Sequence, residues 1–221
     1  MKKVEAFSDT QGDVPVRGYL HVSEVASGDG LVFAHGAGGN SAGAMLVAVA
    51  EAFAAAGTTV LRCDLPFRQS RATGPPRPAE AKRDREGLKC AVAALRKLGS
   101  DRVFLGGQSY GGRQATMLVS EEAELVDGML LTSYPLHPPG KPHQLRSEHF
   151  STIQVPALFV EGTRDPFGSV EEISAAVKLI PSRTAIMIVE GAGHDLGFSR
   201  GKAKRDFGAE VVAGFQRLMQ K

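Results

Sequence analysis

The sequence predicts an α/β fold, a mostly parallel, doubly wound sheet with helices on both faces, and three observations lead there. From Gly30 onward, apolar runs of strand length alternate with longer helix-like segments. Those runs are apolar at nearly every position, the pattern of strands covered on both faces. After an opening hairpin, every glycine-rich or irregular loop follows the C-terminal end of a strand, where such sheets hold ligands. The 221 residues, 43% hydrophobic and 23% charged, suffice for a single domain over 1–221 with a full core.

Val4–Phe7 and Val16–Val22 read as the hairpin, joined by a turn-rich segment. Gly30–Ala34 is a buried strand ending in His35-Gly-Ala-Gly-Gly39. Ser41–Ala56 is Ala-rich and helical, closed by Gly57. Thr58–Cys63 is a β-branched strand ending at Asp64. Leu65–Ala79 holds four prolines and is expected to be irregular. Glu80–Leu98 predicts a helix, Val103–Leu105 a strand, Arg113–Ser120 a helix and Gly128–Ser133 a strand. Tyr134–Thr152, rich in Pro and His, reads as a second irregular stretch, its His137, Lys141, His143, Arg146 and His149 expected to be solvated or else to contact substrate. Ala157–Glu161 is a strand, Val170–Leu179 a helix, Thr184–Val189 a strand and Lys202–Met219 a closing helix.

A net charge of +2 makes no electrostatic case for nucleic acid, despite a pI near 8.6. Cys63 and Cys90 are too few for a disulfide scaffold, and two buried, reduced thiols are expected. The N-terminus lacks the apolar region of a signal peptide, and no apolar run approaches ~18 residues. A soluble, cytoplasmic protein without membrane contact is expected. No nucleotide cofactor is expected either. Ser41 stands where a dinucleotide fingerprint places its third glycine, and Ala44-Met45 replaces the Lys-Ser/Thr of a phosphate loop. His137, His143 and His149 are spaced by six, unlike a zinc pair, so no metal is expected.

Chemistry concentrates around Gly107-Gln-Ser109-Tyr-Gly111, which follows a strand and opens a helix. This is the pattern of a nucleophile elbow, with Ser109 at the apex of a strained turn. A serine hydroxyl needs a base, and among the six histidines only His194 lies beyond a plausible acid downstream of Ser109. Asp165, four residues past the strand-ending Glu161, is the predicted acid. Asp127 falls at the wrong end of a strand, Asp195 is adjacent to His194, and Asp64 breaks the order Ser, acid, His. Two backbone donors are needed for an oxyanion. Tyr110 N–H and Ala37 N–H are expected to supply them, with Gly38 as the substitute for Ala37. Arg68, Arg71, Arg77 and Arg113 are candidates to line the site mouth, and His137 to touch substrate. Arg113 draws attention because a cation in a helix's first turn opposes the dipole.

Together, His35-Gly-Ala-Gly-Gly, Asp64-Leu-Pro-Phe-Arg68, Gly106-Gly-Gln-Ser-Tyr-Gly-Gly-Arg113, Tyr134-Pro-Leu-His-Pro-Pro-Gly-Lys-Pro142, Gly162-Thr-Arg-Asp-Pro-Phe-Gly168 and Gly193-His194 resemble one known family. It is the α/β-hydrolase-like family of testis-expressed protein 30 and subunit 3 of the NSL histone acetyltransferase complex. The resemblance runs from about Gly30 to the C-terminus and implies an α/β-hydrolase fold without a large cap domain. It also implies proximity to the dienelactone hydrolases, which carry Cys where this chain has Ser109. That difference favours ester chemistry. The expected function is therefore a cofactor-free serine hydrolase of a small carboxylic ester or thioester. Because relatives act within complexes, a non-catalytic interaction domain with a vestigial pocket is the alternative. Selection of anionic substrates by the Arg-rich loops is a further expectation.

Overall fold

The computed structural model describes residues 3–23, 25–200 and 206–220. Eight strands form one sheet in the order β1-β2-β4-β3-β5-β6-β7-β8. β1 (Lys3–Asp9) and β2 (Val16–Val22) are antiparallel, and β2 pairs antiparallel with β4 (Thr59–Asp64). All other pairings are parallel, through β3 (Asp29–Ala34), β5 (Arg102–Gln108), β6 (Gly128–Thr132), β7 (Ala157–Gly162) and β8 (Thr184–Val189).

Successive strand residues serve opposite faces of the sheet. Val32, Val103, Leu105, Met129, Leu131 and Phe159 enter one core. Leu31, Phe33, Phe104, Leu130, Leu158 and Val160 enter the other. Both faces are covered, which is why these strands carry no polar alternation. The first core is roofed by α3 (Ala81–Lys97), α4 (Tyr110–Glu121) and α5 (Val170–Ala176). The second is roofed by α1 (Ala44–Ala55) and α6 (Phe207–Met219), which pack on each other. Among the described residues, no helix is long and apolar enough to cross a membrane.

Several boundaries differ from the sequence expectation. α1 starts at Ala44 because Ser41 is tied to Asp64, donating through both N–H (2.7 Å) and Oγ (2.9 Å). The expected start of the closing helix at Lys202 lies outside the described residues. Within Leu65–Ala79 a short helix forms, α2 (Pro66–Ser70), because a proline in the first helical position lacks only an N–H that would go unused. Of the two cysteines, both free, Cys63 is buried but Cys90 is half-buried.

Tyr134–Thr152 is irregular apart from a 3-10 turn at Phe150–Thr152; residues 139–145 are solvated as expected, but the two ends pack into the core. Tyr134, Leu136 and Phe150 are buried, with Tyr134, Phe150 and Phe159 forming an aromatic cluster. The spacing of these residues follows no helical or strand period, so only tertiary packing reveals their burial. His149, 2.8 Å from Thr116 Oγ1, is pushed from 6.5 to about 4 by burial and then by the Arg113 cation. The folded protein resists protonating a ring that the unfolded chain protonates. Stability contributed by this ring is intact above pH 6.5 and is lost as pH falls towards 4. His149→Gln is expected to flatten that part of the acid dependence, read as urea midpoints at pH 7 and pH 4.5.

Candidate active site

The parallel register brings the C-terminal ends of β3, β5, β6 and β7 to one rim, where the elbow stands. Ser109 has φ 50 and ψ −115, a conformation sparsely populated for a residue with a Cβ. The glycines at either side are sterically required. A Cβ at Gly107 would lie 2.6 Å from Ala34 O, and one at Gly111 2.6 Å from His35 O. Strand β5 and helix α4 thus meet β3 at backbone distance, leaving the Ser109 side chain at the rim.

His194 reaches Ser109 from the loop after β8, and Asp165 reaches His194 from the loop after β7. His194 Nε2 is 2.8 Å from Ser109 Oγ, and His194 Nδ1 is 2.7 Å from Asp165 Oδ2. The Asp165 side chain is 1% exposed, and its Oδ1 accepts the Phe167 N–H at 2.9 Å. Since a carboxylate only accepts, Nδ1 carries the proton and Nε2 is free to accept from Ser109. Phe167 stacks on the imidazole, with ring centroids 4.2 Å apart. Glu161, near the end of β7 itself, is fully buried, with Oε1 accepting the Tyr134 N–H. Burial, with the Asp165 charge adding to it, pushes its carboxyl well above the usual range. The rejected acids are occupied elsewhere. Asp127 accepts from Val103 N–H, Asp195 from Gly197 N–H and Asp64 from Ser41.

The β3–α1 loop is fixed from beneath. His35 is fully buried, its Nδ1–H donating to Gly36 O at 2.8 Å while Nε2 accepts the Leu65 N–H at 3.0 Å. Burial holds this ring below the usual histidine range. Its 3.8 Å approach to Asp64 is therefore no ion pair, because Nε2 bears no proton. Gly36 O also accepts Gly39 N–H at 3.1 Å. With that carbonyl held by two donors, the opposite side of the same peptide unit, the Ala37 N–H, faces away from both. Tyr110 is the first residue of α4, whose early N–H groups have no partner within the helix. Its hydroxyl donates to Asp84 Oδ2 at 2.7 Å, anchoring the start of α4 to α3.

A cavity of about 850 Å³ opens above Ser109, lined by Ala37, Gly38, Tyr110, Phe167 and His194 among others. Arg113 and Arg77 line it as well. Arg68 and His137 do not. Arg68 is 8% exposed and donates to four carbonyls, those of Ala37, Gly39, Arg71 and Gly74. It is a brace for the β3–α1 loop, not a group at the mouth. Arg71 is engaged by Glu80 in a forked pair, 2.5 and 2.8 Å. His137 is buried, with Nδ1 on Pro138 O (2.9 Å) and Nε2 on Glu172 Oε2 (3.2 Å), tying the 134–152 stretch to the start of α5. Phe167 and Arg146 also line the cavity; the sequence marks Arg146 only as one of several polar residues of the irregular stretch, and Phe167 carries no signal of its own, because the chain's tertiary path brings both there. Among the described residues, no group of three or more His, Cys, Asp or Glu is placed to hold a metal ion.

Removing the brace has a measurable consequence. Arg68→Met leaves several carbonyls without a donor, and the expected result is a melting temperature lower by roughly 5–10 °C. Turnover of an activated ester is expected to fall about tenfold with it, since a loop misplaced by a fraction of an ångström weakens transition-state contacts.

Solved structures show the same architecture. A dienelactone hydrolase from Anabaena variabilis superposes with a TM-score of 0.75 at 19% identity, over 99% of this chain and 97% of that one. Est1E from Butyrivibrio proteoclasticus gives 0.75 at 15% identity, over 98% and 99% of the two chains. A serine hydrolase without a lid from Xanthomonas campestris gives 0.73 at 17% identity, over 97% and 94%. At these identities the likeness speaks for the fold. The sequence itself carries the assignment further. Residues 28–217 match the alpha/beta hydrolase domain, and the chain belongs to that family.

Proposed function

We propose that this protein is a serine hydrolase that cleaves a carboxylic ester or thioester through an acyl-enzyme. The observation that supports it most is the unbroken line Ser109 Oγ, His194, Asp165, at 2.8 and 2.7 Å, opening onto a cavity. Ser109 Oγ attacks the substrate carbonyl carbon while His194 Nε2 takes its proton. Asp165 keeps the imidazole in the accepting tautomer and offsets the imidazolium charge. The negative oxygen that develops sits between the Tyr110 and Ala37 N–H groups, with Gly38 beside them. Collapse breaks the bond to the leaving alcohol or thiol, which receives the proton from His194 Nε2. A water activated by the same nitrogen then attacks the acyl carbon, releasing the acid and restoring Ser109.

The cavity is walled by the start of α4 and by the loops around it, with no cap domain over it, which suits small or chain-end acyl groups. The six motifs that carry the resemblance to the testis-expressed protein 30 and NSL subunit 3 group place the chain beside that group in our reading. Rapid mixing with p-nitrophenyl acetate tests the acyl-enzyme. A burst of nitrophenol equal to the enzyme concentration is expected, and turnover at the rate of buffer alone would count against the reading.

A further inference from the structure

Most arginines near the site are neutralised or fully engaged. Arg71 meets Glu80, Arg85 lies 3.4 Å from Glu121, and Arg68 holds four carbonyls. Arg113 and Arg146 are different. Both line the cavity that contains Ser109, half-buried, whereas Arg77, which lines it too, is exposed with its backbone N–H on Glu80 Oε2 at 2.6 Å; no Asp or Glu lines the cavity with them. Among the described residues, neither has a carboxylate within ion-pair distance. Arg113 Nε is buried without a hydrogen-bond partner, and Arg146 spends one donor, Nη1, on Pro135 O at 3.2 Å. The two guanidinium groups also oppose each other. Arg146 is lowered by burial first and by the Arg113 cation second. The nearby His149 is held neutral at pH 7, and the exposed Glu148 makes no ion pair with either arginine.

Such a pair is costly unless something negative joins it, since half-buried like charges repel and lose hydration. Nevertheless the main chain holds both in place. Arg113 N–H donates to Ser109 O at 2.9 Å in the first turn of α4. Arg146 N–H donates to Leu136 O at 2.8 Å, and the buried Tyr134 hydroxyl donates to Arg146 O at 2.7 Å. Arg113 stands four residues after the nucleophile and lines the same cavity. Planar guanidinium donors suit a carboxylate, which accepts two parallel hydrogen bonds.

We propose that Arg113 and Arg146 bind a carboxylate carried by the ester itself, so that the substrates are short anionic esters, such as the half-ester of a dicarboxylic acid. This rests on the serine hydrolase reading and narrows it. The test compares charged and neutral partners of matched size. Monomethyl adipate against dimethyl adipate places the charge on the acyl side, and O-acetylglycolate against its methyl ester places it on the alcohol side. In the wild type, kcat/KM is expected to favour the anionic partner of one pair at least about tenfold, less so at high salt. In Arg113→Gln/Arg146→Gln that ratio is expected to fall to within about threefold of unity. Equal kcat/KM within both pairs in the wild type would overturn the proposal. If the double variant does not fold, the wild-type ratios and inhibition by adipate against neutral adipamide still decide it. If neither ester turns over and a fluorophosphonate leaves Ser109 unlabelled, it is the hydrolase reading that fails. Calorimetry of adipate binding then judges the cation pair alone. Binding weakened by Arg113→Gln supports it, and absence of binding to the wild type contradicts it.

Discussion

Replacing Ser109 with Ala is expected to lower kcat for p-nitrophenyl acetate by about 10⁴–10⁶-fold, to the level of the oxyanion contacts and binding alone. The substitution removes one oxygen and keeps the Cβ, so the strained apex at φ 50 is retained with the turn around it. His194 Nε2 loses the hydroxyl that donates to it at 2.8 Å, while the Nδ1–H bond to Asp165 remains. The melting temperature is therefore expected to move by no more than a few degrees, since surface-facing losses of this kind cost about 1 kcal/mol. A large loss of turnover with an unchanged melting curve separates loss of the nucleophile from loss of the fold.

Asp165→Asn is expected to cost about 10⁴-fold in kcat, although it changes one atom. Asp165 serves two donors at once, the Phe167 N–H through Oδ1 and the His194 Nδ1–H through Oδ2. An asparagine has one oxygen. If that oxygen keeps the Phe167 N–H, the amide NH₂ faces Nδ1, and the ring must move its proton to Nε2 to avoid two opposed donors. In that tautomer Nε2 no longer accepts from Ser109 Oγ. The loss is expected in kcat with little change in KM, because Asp165 does not line the cavity. Parallel loss of KM and melting temperature would assign Asp165 to the loop's structure instead.

What the sequence makes legible depends on how local the physics is. The elbow can be read because a tight strand-to-helix turn constrains neighbours within two positions, and Gly107 and Gly111 record that crowding. The strands of the sheet can be read because burial on both faces removes polar residues from runs such as Gly30–Ala34. Asp165 and His194 are found by topology, as side chains in loops after β7 and β8, and the structure places them in line with Ser109. Arg68 is harder. Its charge suggests an open mouth, whereas the carbonyls of Ala37, Gly39, Arg71 and Gly74 converge on it only after the chain has folded. The same holds for Arg146 and for the burial of Tyr134 and Phe150, where contacts far apart in sequence decide the outcome. The helix at Pro66–Ser70 hides behind a proline that normally marks irregular chain.

Mass spectrometry of the protein after reaction with a fluorophosphonate bears most directly on the central claim. Only a serine whose proton is drawn off by a neighbouring base reacts readily with such a reagent. One adduct per chain, on the peptide that contains Ser109 and absent from His194→Ala, is the expected result. A wild-type protein that stays unmodified under conditions that label a known serine esterase would contradict it.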